Sequence, residues 1–352
     1  MNRRLDTMAF LRNTWYVAAW TSEIGRDLFH RTILGEPVLM FRREDGQVVA
    51  MQDRCPHRFV PLHLGRLEGD TVQCGYHGLQ FDTRGDCVGN PFDGKLPRNA
   101  KVKTYAVHEK HQIVWWWGGD AAEADPALIP DFSYLEDASK SKVPGYKHVK
   151  AHYELLVDNL ADLSHTHILH RSNLGIDNPR GEHEVTQVGD VVHSRFWYPS
   201  IPVPPMYGRY LGDSDAVVDR WTEITWNAPG NIRLDAGVTY AGKSRGEGIN
   251  AIGTHLFTPE TETSTHYFYC HVRDFKVGDP AADESIRRWQ QEAFHGEDAP
   301  MIEAQQQSMG GMTDLLALKP VLLASDAGAI RIRRVLAARI AAEEAARQAA
   351  ST

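Results

Sequence analysis

The stretch CPHRFVPLHLGRLEGDTVQCGYHG sets Cys55 and His57 against Cys74 and His77, with sixteen residues between the two pairs. Thiolates and imidazoles in a two-plus-two set suit either a tetrahedral zinc or a [2Fe-2S] cluster in which one iron takes both cysteines and the other both histidines. A structural zinc commonly draws its cysteines from one pair and its histidines from another, whereas each pair here mixes the two types. Mixed pairs favour the cluster, because each loop can hand its cysteine to an inner iron and its histidine to an outer one. Pro56 in one pair, and Gly75 and Gly78 in the other, predict that both sit at loop tips between strands. The two other cysteines, Cys87 and Cys270, read as small buried apolar residues, and His63 as a surface or packing residue.

A second ligand-rich stretch, DNLADLSHTHILH, packs Asp158, Asn159, Asp162, His165, His167 and His170 into thirteen residues of helical pattern. Two histidines and one carboxylate form the facial set of non-haem Fe(II) enzymes, which leaves positions open for O2. On an ideal helix His167 points about 200° away from His165, and His170 about 140° away. A His165–His170 pair is preferred, on condition that a helix end or a π-bulge falls between the two. His167 then reads as a polar residue on an outer face. The carboxylate can come from this segment, where Asp162 lies one turn before His165 and could also orient its imidazole from behind. It can equally come from EAFHGEDAPMIEAQQ, where Glu297 and Asp298 precede a helix containing Pro300. That segment otherwise reads as a solvated acidic helix start.

The surrounding chain must position these groups. Its 352 residues exceed what one core comfortably holds, and 42% hydrophobic with 24% charged residues is an ordinary globular composition. From about Trp15 to Trp117, short apolar alternations cut by Gly, Asp-Gly and Pro predict an all-β unit of hairpins. The polar GGDAAEADPALIPDFSYLEDASKSKVPGY predicts the junction, with domains at 1–125 and 126–352. Beyond it, helical YELLVDNLADLSHTHILHRS, strand-like alternation from about 183 to 275, helical SIRRWQQEAFHGED and MIEAQQQSM, and an amphipathic C-terminal helix fraying at its Ala-rich end predict an α+β domain. The formal charge of −8, with no Lys/Arg cluster, argues against nucleic-acid binding. No stretch reads as a signal peptide or spanning helix, and the sparse cysteines fit a reducing compartment, so a cytoplasmic protein without a membrane partner is expected.

The motifs NTWYVAAW, CPHRFVPLHLG, CGYHGLQFD, ADPALIPDF, VDNLADLSHTHILH, GTHLFTPETETSTHYF and FHGEDAPMIEAQQ together resemble the oxygenase components of Rieske non-haem iron oxygenases. Within them the chain is similar to the O-demethylase branch that acts on vanillate and dicamba. The resemblance implies an N-terminal all-β Rieske domain followed by a helix-grip catalytic domain, an antiparallel sheet with helices. It implies Cys55, His57, Cys74 and His77 as cluster ligands, and His165, His170 and Asp298 as ligands of a mononuclear Fe(II). Asp162 takes the bridging role and Asn159 a place near the iron. Respiratory Rieske proteins carry two further, disulfide-forming cysteines where this chain has Val60 and Tyr76, which implies the ferredoxin and oxygenase branch.

Family members are trimers in which the cluster of one subunit faces the iron of the next, so the partner subunit's His77 would hand electrons through Asp162 to His165. The resemblance further implies a pocket lined by Asp235, His255 and Trp289. Asp235 stands, after a one-residue length difference, where a relative holds a substrate carboxylate with an amide. A carboxylate there would repel a benzoate, so either the alignment slips or the substrate is not a simple acid. The implied activity is O-demethylation of a methoxylated aromatic compound with O2, the alternative being hydroxylation of a ring or methyl group. No GxGxxG fingerprint is present, so NAD(P)H electrons are expected through a separate reductase, with or without a ferredoxin. A pure electron carrier and a zinc-stapled binding module are the readings outside this class.

Overall fold

The structure is a computed structural model that describes residues 10–177 and 181–350. The chain divides into two compact units, Phe10–Asp131 and the residues from Phe132 onward.

The first unit holds β1 (Trp15–Trp20), β2 (Phe29–Ile33), β3 (Glu36–Arg42), β4 (Val48–Gln52), β5 (Arg66–Glu68), β6 (Thr71–Gln73), β7 (Gln80–Phe81), β8 (Cys87–Gly89), β9 (Thr104–Tyr105), β10 (Val107–Lys110) and β11 (Ile113–Trp117). They form three antiparallel sheets, ordered β1-β11-β10, β2-β3-β4-β9 and β5-β6-β7-β8. WYVAAW and IVWWW do not alternate because both strands are buried along their whole length. The Cys74 loop joins β6 to β7, and the Cys55 loop leads into β5 through a 3-10 turn at Leu62–Leu64. Leu39, Phe41, Met51, Leu62, Val72 and Phe81 pack with Cys55 and Cys74 into one core, so both loops stand on a rigid floor.

In the second unit β12 (Ser141–Val149) is followed by α1 (Tyr153–Ala161), a 3-10 turn at Leu163–His167 and α2 (Arg171–Leu174). Then come β13 (Glu182–Val188), β14 (Val191–Pro202), α3 (Pro205–Leu211), β15 (Val217–Asn227), β16 (Asn231–Tyr240), β17 (Ile249–Thr261) and β18 (Ser264–Arg273). The chain closes with α4 (Pro280–Gln290), a π-helix at Gln291–Asp298, α5 (Ala299–Ser308) and α6 (Ala327–Ala350). The seven strands make one antiparallel sheet, β12-β18-β17-β16-β15-β14-β13. Helices lie on it, α1 against β17, α4 against β12 and α6 against both β14 and α1.

The expected run of strands between 183 and 275 is thus interrupted by α3. Pro205 in the first turn has no N–H to leave unbonded, and Gly212, at φ 71°, closes the helix in the left-handed region. The exposed Ala-rich end of α6 stays helical to Ala350. Arg333 anchors that helix: Nε and Nη2 donate to the Asp158 carboxylate at 2.7–3.0 Å and Nη1 to Glu154 at 2.8 Å, tying α6 to α1. Among the described residues no helix is long and apolar enough to cross a membrane.

Candidate active site

The two cysteine loops share one hydrogen-bond pattern. The Cys55 N–H donates to the Val60 carbonyl and Phe59 N–H returns to the Cys55 carbonyl, both at 2.9 Å. Cys74 N–H donates to Leu79 at 2.8 Å and Gly78 N–H returns to Cys74 at 3.0 Å. The fifth residue of each loop has positive φ, 59° at Phe59 and 72° at Gly78, which turns the chain back on itself. Cys55 and Cys74 are buried, 1% and 2% exposed, whereas His57 is exposed and His77 half-buried. The two imidazole rings lie 4.6 Å apart at their centroids. Burial and the neighbouring Cys74 side chain push the Cys55 thiol up to about 11, so a thiolate there requires a cation beside it. Two sulfurs inside and two imidazoles outside fit a [2Fe-2S] cluster with its irons ligated by type.

His63 packs away from this set, its ring stacked on His30 at 3.7 Å and its backbone N–H on Asp53 at 2.8 Å. All four cysteines are free of disulfides; Cys270 is buried and Cys87 half-buried.

The second donor set gathers where helical structure breaks. Asp162 ends α1 and caps the following 3-10 turn, its carboxylate accepting from Ser164 N–H at 2.9 Å. The turn swings His165 and His170, which caps α2, into an edge-on pair with ring centroids 5.2 Å apart. A helix end therefore supplies the geometry that an ideal helix denies. From the far side Asp298, at the last position of the π-helix, brings Oδ1 to 3.6 Å from His165 Nε2 and 3.3 Å from His170 Nε2. The three ligand atoms lie within 4.8 Å of one another.

Both imidazoles are aimed from behind. His165 Nδ1 donates to the Asp162 carbonyl at 2.8 Å, and His170 Nδ1 to Glu297 Oε2 at 2.6 Å, leaving both Nε2 atoms facing Asp298. Asn159 Nδ2 donates to Asp298 Oδ1 at 3.2 Å. Burial lowers the His165 pKa; at His170 the same burial is outweighed by Asp298 and Glu297, and its pKa is raised. Two neutral-capable imidazoles and a buried carboxylate, with both second nitrogens committed, fit an iron held on one face. Pro300 explains the π-turn, since it has no N–H to offer the Gly296 carbonyl and the α-helical pattern cannot run through it.

His165, His170 and Asp298 open into a cavity of about 790 Å3, counting its mouth, under the sheet. Leu160, Leu163, Leu234, Ala236 and Phe294 make its apolar wall, and His255 and Trp289 also line it. His255 donates or accepts at Tyr267 OH (2.6 Å), and burial lowers its pKa to about 3, so the ring is neutral.

Asp235 is not in this wall. It lies on the opposite face of β16, where its carboxylate accepts from Trp221 Nε1 at 3.2 Å and Arg233 at 3.3 Å. Side chains alternate along a strand, so Leu234 and Ala236 face the cavity and Asp235 cannot. His167 departs from expectation too. It is buried against Tyr198, and neither ring nitrogen has a protein partner.

Residues 14–106 match the Rieske [2Fe-2S] domain family, and residues 149–342 match the vanillate O-demethylase oxygenase C-terminal domain family. The chain belongs to the Rieske non-haem iron oxygenases. The oxygenase component of chloroacetanilide N-alkylformylase from Rhizorhabdus wittichii is 39% identical over 95% of this chain and 97% of its own length. That of dicamba O-demethylase from Stenotrophomonas maltophilia is 38% identical over 93% and 97%. The crystal structure of dicamba monooxygenase bound to 3,6-dichlorosalicylic acid shares 37% identity at a TM-score of 0.90, covering 96% of this chain and 99% of that one. This Rieske oxygenase accordingly uses a [2Fe-2S] cluster and a mononuclear non-haem iron, with O2 as co-substrate and electrons that arrive through a reductase.

Two features of the oxygenase's site escaped sequence reasoning. Glu297 was legible only as a rival to Asp298, and proves to stand behind His170. Arg220 and Thr222, on β15, line the cavity. Their only signal is the two-residue spacing in VVDRWTEITW, which does not say which face is inside.

Proposed function

We propose that this oxygenase component O-demethylates a methoxylated aromatic compound in the cytoplasm, working with a reductase and, where the system has one, a ferredoxin. His165, His170 and Asp298 hold the iron in this reading, and Cys55, His57, Cys74 and His77 the cluster. The observation that carries it is a largely apolar cavity that opens onto all three proposed iron ligands. Similarity to the dicamba O-demethylase component, at 38% identity over nearly its whole length, supports the reaction type.

When bound, the iron supplies O2 activation beside a substrate C–H bond, and the cluster supplies electrons one at a time. The protein's share is position and dryness. Glu297 and the Asp162 carbonyl lock both imidazoles, and Asn159 steadies the Asp298 carboxylate. Leu160, Leu163, Leu234 and Phe294 keep water from the reacting carbon, while Trp289 and His255 bound the space for the ring. Oxidation of the methoxy carbon gives a hemiacetal that collapses to a phenol and formaldehyde: ArOCH3 + O2 + 2e− + 2H+ gives ArOH + HCHO + H2O. Asp162, half-buried at the end of α1, serves as the electron bridge from the partner subunit's His77 in a homotrimer.

Turnover of a panel of methoxylated aromatics with a surrogate reductase tests the reading. One formaldehyde per phenol is expected, from protein carrying three irons per chain. A hydroxylated product that keeps its methoxy group would replace demethylation by ring or methyl hydroxylation.

A further inference from the structure

Three arginines are buried among the described residues. Arg333 meets Asp158 and Glu154, and Arg273 faces Asp283 at 2.6 Å. Arg220, 2% exposed, has no such partner. Its Nη1 donates to the Leu174 carbonyl at 3.1 Å, its Nε meets no protein acceptor, and no described carboxylate lies within ion-pair distance. Its guanidinium also lies over the Tyr198 ring, 5.8 Å from the centroid, but a buried cation without a counter-ion is strongly unfavourable, and the fold pairs its other two.

The place it occupies indicates what its charge is for. Arg220 lines the cavity with His165, His170 and Asp298, and Thr222, the next residue on the same face of β15, presents a buried hydroxyl with no protein partner. Trp289 Nε1, in the same wall, is likewise unpartnered. Burial lowers the pKa of His255 to about 3 and of His271 to about 4, so neither imidazole adds charge beside Arg220. A neighbouring cavity that shares Met206, His271 and Trp289 adds Arg209 and Arg288 against Glu292. Asp235, which would have opposed an acid, faces the other side of the sheet.

We propose that Arg220 anchors an anionic group on the substrate, a ring carboxylate or sulfonate, with Thr222 adding a hydrogen bond, and so sets which C–H bond faces the iron ligands. The inference rests on reading this cavity as the substrate site. A guanidinium offers two parallel donors to such an oxyanion, which an amide cannot match.

Calorimetry on the holo-oxygenase without O2 tests it, using the positional isomers of methoxybenzoate, methoxybenzenesulfonate and uncharged methoxybenzamide. The best-fitting anion is expected to bind about 10- to 100-fold more tightly than its amide. Arg220→Gln should bring that ratio to within about 3-fold, chiefly by weakening the anion, and Arg220→Lys should restore part of it. The Gln variant should also melt higher than wild type without ligand, because it removes an unpaired buried charge; a merely structural arginine would lower the melting temperature. Equal affinity for acid and amide in the wild type, no binding of any anion, or a ratio unmoved by Arg220→Gln would overturn the proposal. Whichever anion binds more tightly identifies the group. Formaldehyde is scored separately. Acids held through Arg220 but not demethylated would sink the demethylase reading alone, and formaldehyde from methoxybenzamide without anion preference would sink the anchor alone.

Discussion

Glu297 offers the sharpest test of how the iron site is built. Its carboxylate accepts the His170 Nδ1 proton at 2.6 Å, a charge-assisted bond that fixes the ring and makes Nε2 a better donor to metal. Such bonds contribute about 1.5–3 kcal/mol, against about 0.5–1.5 kcal/mol for a neutral pair. The Glu297 side chain is 25% exposed, so solvent screening places this one at the lower end. Glu297→Gln keeps an acceptor without the charge and should lose about 1 kcal/mol, roughly 5-fold in metal affinity. Glu297→Ala should lose about 1.5–2 kcal/mol, roughly 10- to 30-fold. Competition for Fe(II) against a chelator, in the absence of O2, measures both, and the visible spectrum of the cluster reports that the other centre is intact. If Glu297→Ala bound iron as tightly as wild type, packing alone would orient His170 and the carboxylate would drop out of the account.

Other perturbations reach different parts of the molecule. Asp162→Asn should preserve the cluster spectrum and iron content but stop reductase-driven turnover; retained activity would remove Asp162 from the electron path. Arg333→Met leaves Asp158 and Glu154 facing each other without their cation and should cost about 3–5 kcal/mol by urea melting, with α6 exchanging its amide protons first. His167→Phe removes an imidazole with no protein partner and should stabilise the fold by about 1 kcal/mol at neutral pH. Burial lowers the His167 pKa from 6.5 to about 4, so the unfolded chain takes up the proton first. Stability from this residue is whole above pH 6.5 and is lost as pH falls towards 4, and thermal melts of the Phe variant should be flatter across that window.

The donors were legible because their chemistry is unusual: mixed Cys/His pairs and dense histidines have few uses, whatever the fold around them. Geometry was legible only as a condition. His165 and His170 cannot share a metal on an unbroken helix, so the sequence demanded a break, and the 3-10 turn begun by Asp162 meets that demand. What sequence could not supply was phase. Asp235 and Leu234 are adjacent, and a two-residue period says that one faces the cavity without saying which; the sheet decides through β16's pairing with β15, where Leu234 lies opposite Ile224 and Asp235 opposite Glu223. Arg220 was hidden for the same reason, since an arginine in a strand reads as solvent-facing until its neighbours are known. α3 is hard to see in the sequence because its seven residues sit inside a long strand-like alternation, with Pro205 opening and Gly212 closing a helix where either could equally mark a turn.

The π-helix at Gln291–Asp298 has a consequence for how this site could be gained or lost. A π-turn differs from an α-turn by one extra residue, so the segment acts as a phase adjuster between α4 and α5. Removing Gly296 would shorten that adjuster by one residue and turn Glu297 and Asp298 by about 100° relative to α4. Glu297 and Asp298 would leave the two imidazoles together, while the sheet, the cavity wall and the other donor loops stayed as they are. If His165, His170 and Asp298 hold the iron as proposed, deleting that one codon is expected to give a chain of the same architecture that holds none.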